Sequence, residues 1–238
     1  MAKKWMRLLF QPNLPLGENG QRVTACAEHI LISRNAAKEG MVLLKNEAKT
    51  LPFCKGTKLA LFGKGTFDYV KGGGGSGDVT VAYTINLYEG FKSLKDHVYL
   101  EENLADFYRN YVQEQYKMGR IPGLVAEPDI PDELCVRARA FTDTAVISIS
   151  RFSGEGWDRS VAGTKAPAVL QNTMAAKCGE IFEHGDFYLS NAETWLVQKV
   201  KRLFPKVVVV LNVGGMVDTE WFVADDQIQS VPSHSLNC

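Results

Sequence analysis

The sequence lacks every cysteine arrangement that would indicate disulfides or a zinc site. Its five cysteines form an odd set with no C-x-x-C pair, and its four histidines share no ligand spacing with them. Scattered cysteines of this kind are typical of reduced, mostly buried thiols. We therefore expect no disulfide framework, no metal and no cofactor. The residues concerned are Cys26, Cys54, Cys135, Cys178 and Cys238, with His29, His97, His184 and His234.

Net charge and long apolar runs are also missing. The 27 basic and 27 acidic residues cancel, which leaves no electrostatic footprint for nucleic acid or an anionic membrane surface. No stretch approaches the roughly 20 apolar residues of a membrane-spanning helix. The apolar run near the N-terminus is broken by Arg7 and is too short for a signal peptide. We expect no nucleic-acid or membrane partner and a cytoplasmic location.

What the sequence does contain is an alternation of short apolar runs and helical stretches. This alternation predicts an α/β fold with a mostly parallel sheet and helices on both faces. We expect a lead-in over 1–21, one α/β domain over 22–225 and an atypical tail over 226–238. Within the domain, a helix is predicted over 22–44, Asp132 is predicted as an N-cap, and Ser190 begins a capping box completed by Glu193. Strands are predicted at 58–62, 97–100, 144–150 and 207–211.

The segment Ser153–Arg159 follows the predicted strand 144–150 and is dense in polar groups. Ligands of open α/β sheets bind at the carboxyl ends of strands, and flanking glycines leave Glu155 unobstructed. Glu155 is therefore a candidate functional acid. The alternative is a solvated carboxylate paired with Arg151 or Arg159, which would lower its pKa, the wrong direction for a general acid. Trp157 is either a packing residue or a platform for a sugar face.

A second candidate is the glycine-rich stretch Gly72–Gly77, which contains Ser76. Consecutive backbone N–H groups can form an anion nest, but neither a P-loop lysine nor a G-x-G-x-x-G opening a helix is present. Nucleotide binding is accordingly disfavoured. The stretch is either a flexible turn or the wall of a polar-ligand pocket with Ser76 as the hydrogen-bonding group. Cys178 and His184 lack an orienting third group, so we do not expect a cysteine nucleophile.

Three segments together resemble the α/β sandwich domain of glycoside hydrolase family 3, the β-glucosidase-like enzymes. The first is Asn35–Glu47 followed by Leu51-Pro52. The second is Leu61-Phe62-Gly63 with the loop ending Gly75-Ser76-Gly77. The third is Ile149–Arg159 followed by Val207–Gly214. Their order and spacing match the family over roughly residues 22–225.

The resemblance implies a retaining β-glycosidase that hydrolyses terminal β-linked sugars and has an (α/β)6-sandwich-like domain. In the family the catalytic Asp nucleophile lies on a separate TIM barrel, and the sandwich domain supplies the acid/base, which corresponds to Glu155. The resemblance implies that Ser76 contacts the sugar and that Asp158 and Arg159 lie beside the substrate as loop-shaping partners. We predict that Trp157 also lies beside the substrate. The nucleophile would be the like charge that raises the pKa of Glu155.

The chain departs from the family in two respects. A barrel needs about 250 residues, yet no nucleophile motif is found in this sequence, and residues 227–238 do not match the family's continuation. The resemblance therefore implies the subgroup in which the sandwich precedes the barrel, with a tail altered by truncation or a frame change. We expect a barrel of the same enzyme as partner, almost no activity of the chain alone and possible homo-oligomers. The alternative is a non-catalytic carbohydrate-binding or domain-interaction module.

Overall fold

A computed structural model describes residues 18–20, 26–47, 49–73, 81, 83–154, 159 and 178–235. The chain divides into two compact units, residues 1–41 together with 238, and residues 42–237. In the first unit, helix α1 (Ala27–Glu39) buries none of its residues. The helix predicted over 22–44 is wrong at its end, because residues 41–46 form a strand. Gly40 weakens the helix, and the apolar run that follows it suits a strand better than a helical period.

The second unit contains, within the described residues, a six-stranded sheet with the order β1-β6-β5-β4-β2-β3. The pairings of β2 with β3 and β4, of β4 with β5, and of β5 with β6 are all parallel. The predicted α/β fold with a mostly parallel sheet is confirmed. The strands are β1 (Met41–Asn46), β2 (Thr57–Phe62), β3 (Val98–Leu100), β4 (Thr144–Arg151), β5 (Lys206–Val213) and β6 (Ile228–Ser235).

Helices connect the strands of this unit. They are α2 (Leu87–Lys92), α3 (Glu102–Lys117), α4 (Asp132–Phe141), α5 (Asn191–Leu203) and α6 (Glu220–Val223). The predicted capping box of α5 is confirmed, because Ser190 Oγ accepts from Glu193 N and Glu193 Oε2 accepts from Ser190 N. The predicted N-cap of α4 is wrong by one residue, since extended Pro131 precedes a helix that begins at Asp132. Among the described helices, none has the length and apolar content needed to span a bilayer.

The two faces of the sheet bury different side chains, because successive strand residues point in opposite directions. Ala60, Phe62 and Ile147 belong to a large core that also contains residues of α3, α4, α5 and α6. Leu59 and Leu61 belong to a smaller core on the other face, with which α2 packs. Helices on both faces are thus confirmed.

On the face of the smaller core, Val146, Val208 and Val210 line an apolar groove of about 530 Å³. Leu43, Phe53 and Phe91 are among its other lining residues. Strand β6 lies between β1 and β5 in the sheet, and its Pro232 also lines this groove. The strand falls in the tail 226–238, for which the sequence analysis predicts no strand. Its pattern is weak because Pro232 interrupts it and only Ile228 and Val231 are apolar and buried.

Candidate functional site

Strands β2, β4 and β5 end at one edge of the sheet, where the two predicted site loops begin. Residue 62 of β2 pairs with 147 of β4, and β4 continues beside β5 as far as the pair Arg151–Val213. The chain leading to the glycine-rich stretch follows β2, and the segment containing Glu155 follows β4. Ser76, Glu155, Trp157 and Asp158 lie outside the described residues, and their site roles stay predictions. The structure describes the stems of both segments and Arg159.

The glycines after β2 are explained by close packing against β4. A Cβ on Gly63 would lie 2.4 Å from the carbonyl oxygen of Ser148, and one on Gly65 would lie 2.7 Å from it. Gly63 also has φ of +92°, a conformation that other residues rarely adopt. A short 3-10 turn begins at Lys64, directly after Gly63. The backbone N–H of Lys64 donates to Glu127 Oε2 at 2.8 Å. Gly63 and Gly65 are therefore explained by packing, and the N–H of Lys64 between them is not available to an anion.

A buried ion pair, Lys64–Asp68, supports the stem after β2. Lys64 Nζ donates to Asp68 Oδ2 at 2.7 Å and to Ser150 Oγ at 3.0 Å. The other carboxylate oxygen, Asp68 Oδ1, accepts from Tyr116 Oη and from Gly123 N, both at 2.7 Å. The pair thus joins β2, β4, α3 and the 120–131 connector. We call these residues, together with Glu127 and Tyr108, the Lys64 cluster.

Glu127 is a buried carboxyl in this cluster without a facing cation at hydrogen-bond distance among the described residues. It accepts from Lys64 N and from Tyr108 Oη, the latter at 2.9 Å. Burial, together with the negative charge of Glu193, raises the pKa of Glu127 to about 8. The two hydrogen bonds oppose that rise only in part. The carboxyl is therefore mostly neutral at pH 7.

The end of β4 is held by Arg151, which forms a bidentate pair with Glu193 of α5. Both N–O distances are 2.6 Å, and both side chains are 2% exposed. The remaining N–H groups of Arg151 donate to the carbonyl oxygens of Asp186, Ser150 and Tyr188 at 2.9 to 3.0 Å. A guanidinium has five N–H donors, and all five are taken. The pairing of Glu155 with Arg151 considered from the sequence therefore has no donor left.

Arg159 returns to the same edge and contacts the ends of both β4 and β5. Its guanidinium donates to the carbonyl oxygens of Phe152 and Gly214, and it pairs with Asp186 Oδ2 at 2.7 Å. The Arg159 and Asp186 side chains are 7% and 2% exposed. We call Arg151, Glu193, Arg159 and Asp186 the arginine cluster. The contacts of Arg159 are those of a loop-shaping residue, and its predicted substrate contact stays a prediction.

The stems of the two predicted loops meet at Gly123. A Cβ placed there would lie 2.6 Å from Phe152 Cβ and 3.1 Å from Val70 Cγ2, and φ is +82°. Val70 precedes the glycine-rich stretch, and Phe152 precedes the segment with Glu155. In addition, Asn212 Nδ2 of β5 donates to the Val70 carbonyl at 3.2 Å. Gly123 therefore packs against the residues that precede the segments with Ser76 and Glu155.

Other chemistry considered from the sequence has little support at this edge. Burial raises the pKa of Cys178 to about 12, so its thiol is protonated at neutral pH and is a poor nucleophile. Within the part of the chain that the structure describes, no group of three metal-ligating side chains is found. What the described residues form at this edge is a buried, densely hydrogen-bonded set of charged side chains.

The sequence analysis did not identify most of these buried charged residues. Lys64, Asp68, Glu127 and Asp186 were not identified, because no local pattern distinguishes a buried charged residue from an exposed one. Glu193 was identified only as part of a capping box. The usable signal was the position of Lys64 and Arg151 at the ends of strands, where charged residues interrupt apolar runs.

The fold defines the chain as an α/β domain in which both predicted site segments follow parallel strands. Residues 41–234 match the family described as Glycosyl hydrolase family 3 C-terminal domain. The chain belongs to this family.

Relatives agree with that assignment. The chain is 55% identical over 230 residues to Beta-glucosidase A of Butyrivibrio fibrisolvens, covering 96% of this chain and 28% of that protein. It is 31% identical to Beta-glucosidase of Ruminococcus albus, covering 76% of this chain and 17% of that protein. Beta-glucosidase 3B from Thermotoga neapolitana, solved with glycerol, superposes with a TM-score of 0.71 at 32% identity, covering 88% and 27% of the two chains. The chain spans less than a third of the length of these relatives.

Proposed function

We propose that this chain is the sandwich domain of a retaining β-glycosidase and supplies Glu155 as the general acid/base. The Asp nucleophile then lies on a TIM-barrel domain of the same enzyme, and the substrate is a glycoside with a terminal β-linked sugar. In such a reaction the acid protonates the departing glycosidic oxygen, and the carboxylate later activates water. Because half of the carboxyl pair lies elsewhere, we expect the isolated chain to show almost no turnover.

The observation that carries the proposal is the placement of the segment after β4. The segment begins where β4 ends, at the edge at which open α/β sheets generally bind ligands, and all five donors of Arg151 at its start are taken by other partners. A general acid needs a pKa that is not lowered by a neighbouring guanidinium. The relatives named as β-glucosidases support the reaction class.

The test uses a chimera in which this chain replaces the matched region of Beta-glucosidase A of Butyrivibrio fibrisolvens. Glu155→Gln should reduce kcat/KM on alkyl glucosides, which have poor leaving groups, by about 100-fold or more. The loss on dinitrophenyl glucoside, which needs no protonation to depart, should be much smaller. Glu183→Gln, at an exposed carboxylate, is the matched control and should leave both rates unchanged. Equal losses on the two substrates would contradict an acid role.

A further inference from the structure

We propose that a cleft beside helix α5 is a binding site for a small carbohydrate. The cleft has a volume of about 470 Å³, within the range of about 300–1,000 Å³ that is usual for small-molecule sites. Its floor is one face of α5, because Thr194, Val197 and Gln198 are three and four positions apart. One wall is the segment before α5, and the other follows β5. The inference goes beyond the proposed function, since it requires neither Glu155 nor a barrel.

The walls of this cleft are held in place by hydrogen bonds within the protein. The backbone N–H of Asp218 donates to the carbonyl oxygen of Phe187 at 2.9 Å, which joins the two walls. Trp221 Nε1 donates to the carbonyl oxygen of Asp218 at 3.0 Å and fixes the indole ring. The carbonyl oxygen of Tyr188 accepts from Arg151 Nη2 at 3.0 Å, which ties the first wall to the arginine cluster. A preformed cleft loses less conformational freedom when a ligand binds.

The cleft combines aromatic rings with uncharged polar side chains. Tyr188 and Trp221 line it, and because the indole N–H is already used, the Trp221 ring is what remains for a ligand. Thr194 and Gln198 are exposed, and no described residue forms a hydrogen bond with either side chain. A hydroxyl and an amide both donate and accept hydrogen bonds. A sugar ring has an apolar C–H face that can pack on an aromatic ring, and hydroxyls that need both donors and acceptors.

The charges around the cleft disfavour a cationic ligand, which aromatic rings also attract. Among the described lining residues Asp218 is the one with an acidic side chain, and its Oδ1 already accepts from Glu220 N at 3.0 Å. His184, on the first wall, becomes positively charged when it is protonated. A cation would therefore meet little negative charge. An uncharged ligand with several hydroxyls fits the cleft better.

The test titrates the ¹⁵N-labelled chain with cellobiose and follows the NMR signals. We expect saturable shifts of the Trp221 indole N–H and the Gln198 amide, with a Kd of about 0.1–10 mM. The indole of Trp195, which is 55% exposed on the same helix and lines a different cavity, is the internal control and should not shift. The absence of saturable shifts at about 100 mM cellobiose, or equal shifts of the two indole signals, would overturn the inference.

Variants locate the binding energy, after thermal unfolding has shown that each one is folded. Tyr188→Leu removes an aromatic ring but keeps an apolar side chain, and it should weaken cellobiose binding by about 10-fold or more. Gln198→Ala, at an exposed helical position, removes one hydrogen-bonding group and should weaken binding by about 3- to 10-fold. Trp195→Leu is the matched control and should bind as the unaltered chain does.

If Tyr188→Leu does not fold, Gln198→Ala decides the question alone. Unchanged affinity in the folded variants, or a loss in Trp195→Leu as large as theirs, means that the cleft is not the site. Choline is the probe for a cationic ligand, and saturable binding of choline without binding of cellobiose contradicts the carbohydrate assignment. None of these results alters the leaving-group dependence expected of Glu155→Gln in the chimera, so the inference and the proposed function fail separately.

Discussion

Two buried glutamates, Glu127 and Glu193, lie beneath the same edge of the sheet, and their pKa values are shifted in opposite directions. Glu193 faces the Arg151 guanidinium in a bidentate pair, whereas Glu127 receives only one backbone N–H and one tyrosine hydroxyl. Burial alone would raise the pKa of both. The charge and hydrogen bonds of Arg151 reverse that effect, and the pKa of Glu193 is lowered. For Glu127 burial prevails, and its pKa rises to about 8.

The difference shows how the edge is organised. The arginine cluster carries charges that compensate each other over long sequence separations and so ties β4, β5 and α5 together. The Lys64 cluster contains a local ion pair between residues four apart and a carboxyl that stays neutral. The first cluster holds the end of β4, after which the segment with Glu155 begins, and the second holds the residues that follow β2.

The largest expected effect comes from removing one charge of the compensated pair. Glu193→Gln leaves the Arg151 cation buried and partly unpaired, which costs about 3–5 kcal/mol of unfolding free energy. Glu127→Gln removes the need to protonate this carboxyl on folding, so it should not lower the unfolding free energy at pH 7. Urea unfolding of the two variants at pH 7 measures both. Similar losses would show that the two glutamates share one charge state.

The packing of the Lys64 cluster is tested at Gly123, whose N–H and carbonyl both contact the Lys64–Asp68 pair. Gly123→Ala should cost about 2–4 kcal/mol, because a positive φ is strained and the new methyl would lie 2.6 Å from Phe152 Cβ. Gly119→Ala is the matched control, with φ of +86° and nothing within 4 Å. It should cost only the backbone strain, about 1–2 kcal/mol. Equal unfolding free energies for the two variants would exclude the contact with Phe152.

The pH dependence of stability separates the two carboxyls. Because the folded-state pKa of Glu127 is raised, its contribution is complete below its ordinary pKa of 4.5 and is lost as pH rises through about 8. The unfolding free energy should fall by up to about 1.4 kcal/mol per pH unit across that range. Glu193 has a lowered pKa, so its contribution is lost only as pH falls below its ordinary value of 4.5.

The control for this measurement is Glu127→Gln, which should remove the decline between pH 4.5 and about 8 and leave the decline below pH 4.5 in place. Urea unfolding at intervals from well below pH 4.5 to above pH 8 provides both curves. An unchanged slope between pH 4.5 and 8 in the variant would assign that decline to another group.

The smallest effect is expected at an exposed ion pair. Arg120→Met removes the pair with Glu180, whose side chains are 42% and 60% exposed. Because solvent screens such pairs, each contributes only about 0–1 kcal/mol to stability, and the change in unfolding free energy should be slight. The same urea experiment measures this variant beside Glu193→Gln. Comparable losses would mean that the buried pairs of the arginine cluster contribute no more to stability than an exposed pair.

The parts predictable from the sequence were those with a strong local period or motif. The strands at 144–150 and 207–211 are dense in Val and Ile, and the Ser190–Glu193 capping box is a local signal. Gly40 and Met41–Leu44 were misread because a short apolar run is compatible with either a helix or a strand. The strand β6 was missed because Pro232 and several serines weaken its pattern.

The site divides in the same way. The segment with Glu155 could be found because a motif follows a strand, and Gly63 was noticed for the same reason. Its packing role against Ser148, and the pairing of Arg151 with a residue 42 positions away, depend on tertiary contacts that no local pattern contains.

The most direct test of the account is a product analysis with Glu155→Ala in the chimera. Without its carboxylate, the covalent glycosyl-enzyme formed on the barrel's Asp should accumulate from dinitrophenyl glucoside, because water lacks a general base. Azide, a strong nucleophile that needs no base, should then restore turnover and yield β-glucosyl azide. Restored turnover with this product is the predicted result. Undiminished hydrolysis without azide, or α-glucosyl azide as the product, would contradict Glu155 as the acid/base of a retaining enzyme.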